Sequence, residues 1–228
     1  MNTLVCFALK EEAAPFRKMA AGKSGISILI TGIGRQNAEK SVREYLADHS
    51  GGASVPVPHC GISSLAPPEL VLTCGFAGGL NPDLKLGDVV FELSTLNSQL
   101  STRLSAAGAK PAKIFCADRI TTTVAEKKKL RVETGADAVE MESGTIHAVC
   151  RERGILCATV RVISDMANED LPLDFNQLFK PDKSLDFGKL AWAIARSPGK
   201  IGALLKLQKR SRFAAEQLAS VLEKIVSG

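Results

Sequence analysis

Short apolar segments of strand length alternate with amphipathic segments along most of this chain. The apolar segments are TLVCFAL (3–9), ELVLTC (69–74), GDVVFEL (87–93), AKIFCAD (112–118) and ILCATVRVIS (155–164). Helical patterns stand between them, such as the segment 123–135, which opens with a Thr123-x-x-Glu126 capping box. Strands that alternate with helices form a mainly parallel, twisted sheet with helices on both faces. We therefore predict an α/β fold, a three-layer αβα sandwich around a mixed, mainly parallel sheet.

The length of 228 residues fits one large domain or two small ones. We predict a single domain over residues 1–228. Gly, Pro and Ser are concentrated at 51–68, which indicates a loop insertion. Residues 195–228 are predicted to form a basic helical extension, because five apolar residues recur there at helical spacing: Phe213, Leu218, Val221, Leu222 and Ile225.

The positive charge of the chain is concentrated at its end. Residues 195–228 contain seven Lys or Arg and two Glu, which accounts for the whole net charge of +5 and leaves residues 1–194 neutral. A neutral body argues against nucleic-acid binding, and affinity for a membrane or a polyanion is expected only in the tail. Residues 196–212 mix apolar residues with cations, as interfacial helices do. Peripheral membrane contact is one interpretation of them, and a solvated helix docked on the core is the other.

Cysteine usage and the N-terminus indicate a cytoplasmic protein. No apolar run reaches the ~18 residues of a membrane span, and acidic residues come too early for a secretory signal. The six cysteines are scattered without a C-x-x-C pair, and none of the three histidines is paired at helical spacing. We expect buried thiols, no metal and no organic cofactor.

Two glycine motifs follow predicted strands. GIGRQN (32–37) lacks the third glycine of the dinucleotide fingerprint. It is either a structural turn or a place where backbone amides meet an anion or a ribose, with Gly34 and Arg35 as the candidate phosphate or anion site. CGFAGG (74–79) is either a tight turn or a backbone that a flat ligand can approach closely.

Acidic residues follow two of the predicted strands. Asp165 comes directly after ILCATVRVIS, so its carboxylate is expected at the edge of the sheet where ligands of such folds bind. A helix N-cap is the alternative role for it. In DAVEMES (137–143), Glu140 and Glu142 flank Met141 where an apolar run gives way to a helix.

These motifs together resemble one family. VEMESGTIHAVCRERGILCATVRVISDMA (139–167) is similar to the signature of the nucleoside phosphorylase and nucleosidase superfamily. Within it, the group that includes 5′-methylthioadenosine/S-adenosylhomocysteine nucleosidase matches best. ALKEE (8–12), TGIGRQNA (31–38) and TCGFAGGLNPDLKLGDVV (73–90) match in the same order, so the resemblance covers roughly residues 1–175. It implies a homo-oligomer that hydrolyses the N-glycosidic bond of a purine-type nucleoside.

The resemblance also implies a role for each site residue. Asp165 matches the general acid that protonates the purine toward N7, and Glu12 matches the carboxylate that orients and deprotonates the attacking water. Glu142 matches the carboxylate that accepts the ribose hydroxyls, and Met141 would lie beneath the sugar. Glu140 is expected to point the other way and to be structural. The remaining predicted substrate-binding residues are Phe76, Ala77, Gly78, Gly79, Ser164 and Arg161.

The chain departs from the family pattern in two places. Phosphorylases of this superfamily hold phosphate with arginines and a serine around the glycine loop, whereas this chain has Thr73 and Phe76 there with no arginine beside them. That difference, together with Glu12, favours water over phosphate as the nucleophile. Nucleosidases place an aromatic residue against the adenine just after the strand that corresponds to 112–118, where this chain has RITTT (119–123). The purine would then stack on Phe76 or on a partner subunit, or the base is not adenine.

Four alternatives to a soluble-substrate nucleosidase stay open. The first is a phosphorolytic nucleoside phosphorylase. The second is a nucleosidase for a lipid-linked adenosyl substrate, since relatives acting on adenosylhopane in hopanoid synthesis resemble this superfamily. The third is a non-catalytic nucleoside-binding protein, and the fourth is a nucleic-acid binder that acts through its tail.

Overall fold

The computed structural model describes residues 2–49, 67–92, 98–178, 180, 189 and 198–226. Within these residues, eight strands belong to one sheet. The strands are β1 Thr3–Phe7, β2 Ile26–Ile30, β3 Leu70–Gly79, β4 Val89–Glu92, β5 Lys110–Ala112, β6 Ile114–Cys116, β7 Ala138–Glu140 and β8 Leu156–Asp165. The α-helices are α1 Lys10–Met19, α2 Arg35–Asp48, α3 Ser98–Ala106, α4 Val124–Thr134, α5 Ser143–Glu152 and α6 Ile201–Val226. Two short 3₁₀ helices span Phe175–Leu178 and Pro198–Lys200.

The sheet is mixed and mainly parallel, as predicted. Its main path runs in the order β2-β1-β3-β8-β4-β5, while β7 pairs with β3 and β6 pairs with β7. Five of these pairings are parallel, and the antiparallel ones are β4 with β8 and β7 with the end of β3. The carboxyl ends of β1, β3 and β8 therefore lie at one edge of the sheet, and β7 reaches the same edge through its pairing with Gly78 and Gly79.

Helices cover both faces of the sheet, which confirms the three-layer prediction. Helices α1, α3 and α6 contribute to one apolar cluster, and α2 and α5 contribute to another. Because side chains alternate along a strand, Leu70 and Leu72 of β3 face the first cluster and Val71 between them faces the second.

Helix α6 has two different halves. From Ala214 onward it is anchored, and Leu218 and Leu222 are fully buried against the first cluster. Before Ala214 it is largely exposed: Ile201 is 44% exposed, Leu205 54% and Phe213 45%. None of the described helices combines the length and the apolar character of a transmembrane span.

Two of the predicted regions extend beyond the described residues. Residues 51–66 of the expected loop insertion lie outside them, and so do 195–197, 227 and 228 of the expected C-terminal extension. The assignment of the chain to a single domain stays a prediction.

The structure differs from the sequence prediction in three places. The glycines of CGFAGG lie within β3 rather than in a turn, because the strand continues in register with β8 and shifts register only between Ala77 and Gly78. AKIFCAD is two strands rather than one, since β5 pairs with β4 whereas β6 pairs with β7. Helix α3 was not predicted, and it covers the sheet with Leu100 and Leu104.

Candidate active site

A cavity of about 230 Å³ opens at the edge of the sheet where β1, β3, β7 and β8 end. Eight of the residues predicted from sequence line it: Glu12, Phe76, Ala77, Gly78, Met141, Glu142, Ser164 and Asp165. Four predicted residues are not in its lining: Gly34, Arg35, Gly79 and Arg161. The fold therefore brings the three predicted functional carboxylates to one cavity from three separate parts of the chain.

Glu12 enters the cavity from the first turn of α1, directly after β1. Its side chain accepts hydrogen bonds from the backbone N–H groups of Leu9, on Oε2, and of Phe76, on Oε1, both at 2.9 Å. Burial raises the pKa of Glu12 to about 7, a rise to which the nearby Glu142 adds, while the two N–H groups and Arg161 oppose it. Near neutral pH this carboxyl is therefore divided between its acid and base forms, as a general base requires.

Arg161 lies behind the cavity wall and holds two of the carboxylates. It is 1% exposed on β8. Its guanidinium forms an ion pair with Glu140, contacts Glu142 at 3.8 Å and donates to Thr73 Oγ1 at 3.0 Å. Arg161 is not part of the cavity lining, so its effect on a ligand would pass through the carboxylates that it orients.

Glu140 is a structural brace in this arrangement. Its carboxylate accepts hydrogen bonds from the backbone N–H groups of Glu142 and Ser143, where α5 begins, and from the Ser143 hydroxyl. Burial alone would raise the pKa of Glu140, but Arg161 and these hydrogen bonds hold it below its usual range. The expectation that Glu140 points away from Glu142 was wrong. Residues two apart on an extended segment share a face, and both carboxylates meet Arg161.

The negative charge of Glu142 is less well balanced by its neighbours than that of Glu140. The Gly34 N–H donates to its Oε1 at 2.8 Å. Burial raises the pKa of Glu142, and the charge of Glu140 adds to the rise, although Arg161 attracts the ionised form. A buried carboxylate whose charge is only partly balanced gains free energy when positive charge forms nearby. Glu142 can therefore stabilise a cation that forms in the cavity.

Asp165 is the last residue of β8, and both of its carboxylate oxygens have a hydrogen-bond partner. The Ser164 hydroxyl lies 2.9 Å from Oδ1. Lys127 of α4, whose side chain is fully buried, donates to Oδ2 at 2.5 Å. The Asp165 side chain is 13% exposed, on the cavity side.

The remaining walls of the cavity are mainly apolar, and they come from early, central and late parts of the chain. They include Ile33, Ile120, Val139, Leu171, Phe175 and Leu207. Ile120 belongs to RITTT (119–123), the segment in which the resemblance led us to look for an aromatic residue. Asn176 binds the backbone of Ile120 through two hydrogen bonds. The Ile120 N–H donates to Asn176 Oδ1 at 2.9 Å, and Asn176 Nδ2 donates to the Ile120 carbonyl at 2.8 Å. Phe76 and Phe175 are the aromatic side chains in the described lining.

The residues predicted as an anion site are engaged elsewhere. The Gly34 N–H is bound to Glu142, and Arg35 donates to the Cys116 carbonyl at 2.7 Å and pairs with Asp118 at 3.2 Å. These contacts give the phosphate prediction no support. Across the described parts of the chain, no three His, Cys, Asp or Glu side chains are grouped as metal ligands would be.

Comparison with known proteins finds similar sequences and structures. The family model described as phosphorylase superfamily matches residues 95–196. The 5′-methylthioadenosine/S-adenosylhomocysteine nucleosidase of Anoxybacillus flavithermus is 22% identical over 79% of this chain and 92% of its own length. The aminodeoxyfutalosine nucleosidase of Campylobacter jejuni is 26% identical over 48% of this chain, a match that spans 61% of that relative.

Among solved structures, the 5′-methylthioadenosine/S-adenosylhomocysteine nucleosidase of Helicobacter pylori, crystallised with butyl-thio-DADMe-Immucillin-A, has the same fold. It superposes with a TM-score of 0.68 at 17% identity, over 100% of this chain and 98% of that one. The chain is therefore similar to the phosphorylase superfamily over residues 95–196, and it shares the fold of this nucleosidase. Its mixed sheet carries the cavity at the strand ends, with Ile120 and Phe175 in the lining.

Sequence reasoning missed several residues of this site, among them Phe175, Leu207 and Lys127. Phe175 and Leu207 line the cavity from the last quarter of the chain, beyond or at the end of the recognised motifs. Lys127 belongs to the charged run KKK (127–129) and was not predicted to have a role. Its spacing was a usable signal, since Lys127 stands three residues from both Val124 and Leu130 and therefore shares their inward face.

Proposed function

We propose that this protein hydrolyses the N-glycosidic bond of a purine nucleoside. The observation that carries the proposal is the meeting of Glu12, Glu142 and Asp165 in one largely apolar cavity. Cleavage of this bond builds positive charge on the ribose and negative charge on the departing base. A site with a base, a stabilising carboxylate and an acid serves each of these changes.

In the proposed mechanism, each carboxylate has one task. Glu12, in its ionised form, takes a proton from the attacking water. Glu142 accepts hydrogen bonds from the ribose hydroxyls, and these bonds strengthen as the sugar becomes cationic. Asp165 gives a proton to the purine, so that the base leaves neutral. Met141 and Ala77 supply apolar surface beside the ligand.

Water is favoured over phosphate as the nucleophile. A phosphate dianion needs several cationic or N–H donors, whereas Gly34 and Arg35 are bound to protein oxygens. Arg119 at the cavity rim is paired with Glu126 at 2.6 Å. The carboxylates around the pocket would also repel an anion.

The deciding experiment is base release, followed by chromatography, with and without phosphate. The panel contains methylthioadenosine, adenosylhomocysteine, aminodeoxyfutalosine, adenosine, inosine and an adenosyl-lipid mimic. Release without phosphate supports the proposal and names the substrate group. Release only with phosphate would identify a phosphorylase and remove the role of Glu12. Tight binding of a nucleoside without release would identify a non-catalytic binding protein.

A lipid-linked adenosyl substrate is a second candidate, which helix α6 favours. Leu207 and Ser211 of α6 line the cavity. The same half of the helix exposes Ile201 and Leu205 beside the cations Lys206 and Lys209. An apolar ridge among cations fits an anionic bilayer surface, and such a surface would bring a lipid-linked substrate to the cavity.

Co-sedimentation tests this second candidate directly. The protein is expected to bind vesicles that contain phosphatidylglycerol and not vesicles of phosphatidylcholine alone. Leu205→Ser should weaken binding, whereas Val132→Ser, at an apolar residue of α4 that is 86% exposed, serves as the matched control. Failure to sediment with anionic vesicles, together with no release from the lipid mimic, would eliminate the candidate.

Assembly and location belong to the same proposal. The cysteines within the described residues, Cys6, Cys74, Cys116, Cys150 and Cys157, are free thiols, which fits a reducing compartment such as the cytoplasm. The proposed homo-oligomer is tested by sedimentation equilibrium, in which a mass of about one chain would contradict it.

A further inference from the structure

Lys127 is a buried charge that the mechanism above does not use. Its side chain is 0% exposed, although Lys128 and Lys129, the next residues of α4, are exposed. The ammonium donates to Asp165 Oδ2 at 2.5 Å, to the Met166 carbonyl at 2.8 Å and to the Glu169 carbonyl at 3.0 Å. A lysine ammonium has three N–H donors and no acceptor, so these three bonds use it completely.

The two oxygens of Asp165 therefore differ in what they can do. Oδ2 faces a group that only donates, so it cannot carry a proton of its own in this arrangement. Oδ1 faces the Ser164 hydroxyl, which also lies 3.4 Å from the Ala77 carbonyl. A hydroxyl can donate or accept. It can donate to Oδ1 when Asp165 is ionised, and it can accept from Oδ1–H and turn to the Ala77 carbonyl when Asp165 is protonated.

We propose that Lys127 is a positioning residue that confines the transferable proton of Asp165 to Oδ1. This inference rests on the proposed function, in which Asp165 protonates the purine. In that step the glycosidic C–N bond breaks, its electron pair goes to the purine, and the Oδ1 proton passes to a purine nitrogen. Lys127 keeps all its protons throughout. Its charge stabilises the carboxylate that Asp165 becomes, a gain that exists only once the proton has moved.

A contact that only stabilised the fold would not require a charged side chain at Lys127. Burying an ammonium carries a large desolvation penalty, and neutral donors could satisfy the Met166 and Glu169 carbonyls. The third bond, to the carboxylate in the cavity wall, is the one that a cation makes stronger. That bond links α4 to the reacting group.

A double-mutant cycle tests the inference, with the nucleoside that the enzyme cleaves best. Lys127→Met, Asp165→Asn and the double variant are compared with wild type, and Lys128→Met, at the exposed neighbour, is the matched control. We expect Lys127→Met to lower kcat at least about 30-fold, since general acid catalysis contributes about 10²–10⁴-fold. KM should change by less than about threefold, because Lys127 does not touch the substrate.

The double variant separates positioning from structure. If Lys127 acts through Asp165, its removal costs nothing further once Asp165 is Asn, so the double variant equals Asp165→Asn. Equal losses from Lys127→Met in both backgrounds, or a change in KM alone, would overturn the role of Lys127. Wild-type turnover in Asp165→Asn would instead overturn the proposed function. Lys127→Gln keeps a hydrogen-bond donor without a charge. It is made in parallel, so that the cycle can be completed if Lys127→Met does not fold.

Discussion

At the residue scale, burial divides the buried carboxylates among different tasks. Glu140 has the guanidinium of Arg161 and three donors, and its pKa lies below its usual range. Glu142 accepts from the backbone N–H groups of Gly34 at 2.8 Å and Met141 at 3.4 Å and lies farther from Arg161, and its pKa is raised, first by burial. The pKa of Glu12 rises to about 7, again through burial. Environments that push neighbouring pKa values apart are typical of acid–base sites.

The raised pKa of Glu12 predicts a pH dependence for hydrolysis. Only the ionised form accepts a proton from water, so kcat/KM should fall as the pH drops below about 7, about tenfold per unit. Glu12→Gln should remove most activity at every pH. Glu11→Gln, at the exposed neighbour on the same helix, should leave the profile unchanged. A profile that stays flat from about pH 5 to about pH 7 would contradict the assignment of Glu12 as the base.

The role of Asp165 predicts a dependence on the leaving group. Asp165→Asn should lower base release from a purine nucleoside by about 10²–10⁴-fold, because an amide has no acidic proton to give. A 4-nitrophenyl riboside leaves as a stable anion without a proton, so the variant should cleave it within about threefold of wild type. Comparable losses with both leaving groups would show that Asp165 serves the fold or the sugar instead.

At the scale of elements, the pairing of β3 with β8 places the buried charges. Gly75 is directly opposite Arg161 in the register. A Cβ on Gly75 would lie 2.7 Å from Arg161 Nη1 and 2.9 Å from Glu12 Oε1, and its φ of +148° is one that other residues rarely adopt. Glycine at this position leaves room for both the Arg161 guanidinium and the Glu12 carboxylate, which explains a glycine inside a buried strand.

Gly75→Ala should therefore damage both stability and activity. Backbone strain of this kind costs about 1–3 kcal/mol, and the new methyl group has to displace Arg161 or Glu12. We expect a melting temperature lower by about 2–12 °C, at 2–4 °C per kcal/mol for a chain of this size, and a large loss of turnover. Gly202→Ala, at a helical glycine with open space around its Cβ position, is the control and should cost nothing. A fully active Gly75→Ala would show that the site tolerates movement of this pair.

At the scale of the whole molecule, helix α6 joins the core to the cavity. Its second half completes the apolar cluster shared with α1 and α3, and its first half reaches Leu207 and Ser211 into the cavity wall. The basic tail is therefore part of the folded body as well as part of the site. Removing it would expose the face of the sheet that it covers.

Because one half of α6 is anchored in the core and the other half is exposed, two leucines of this helix are expected to differ in their effect on stability. Leu222→Ala, at a fully buried position, should lower the free energy of unfolding by about 2–5 kcal/mol. Leu205→Ala, at a position that is 54% exposed, should change it by less than about 0.5 kcal/mol. Urea denaturation followed by circular dichroism measures both. Equal effects would mean that α6 is not anchored through its second half.

Local patterns were sufficient for the architecture. Apolar runs separated by helical patterns predicted the strands and most helices, because burial on both faces of a parallel sheet leaves its mark on every residue of a strand. The sequence prediction was wrong where the pairing of strands cannot be inferred from the local pattern. The glycines of β3 suggest a turn because glycine is rare in strands. The division of AKIFCAD into two strands at Lys113 is visible only from their pairing, since β5 and β6 have different partners.

The sequence by itself determined the sheet, the helices around it and the short list of carboxylates at the strand ends, since each depends on neighbours along the chain. Only the tertiary structure decided how the charges are shared. Whether Glu140 or Glu142 takes Arg161, and whether Lys127 is solvated or buried against Asp165, depends on distances between β7, β8 and α4. The physical reason is that a buried charge is set by the groups packed around it, and those groups come from distant parts of the chain.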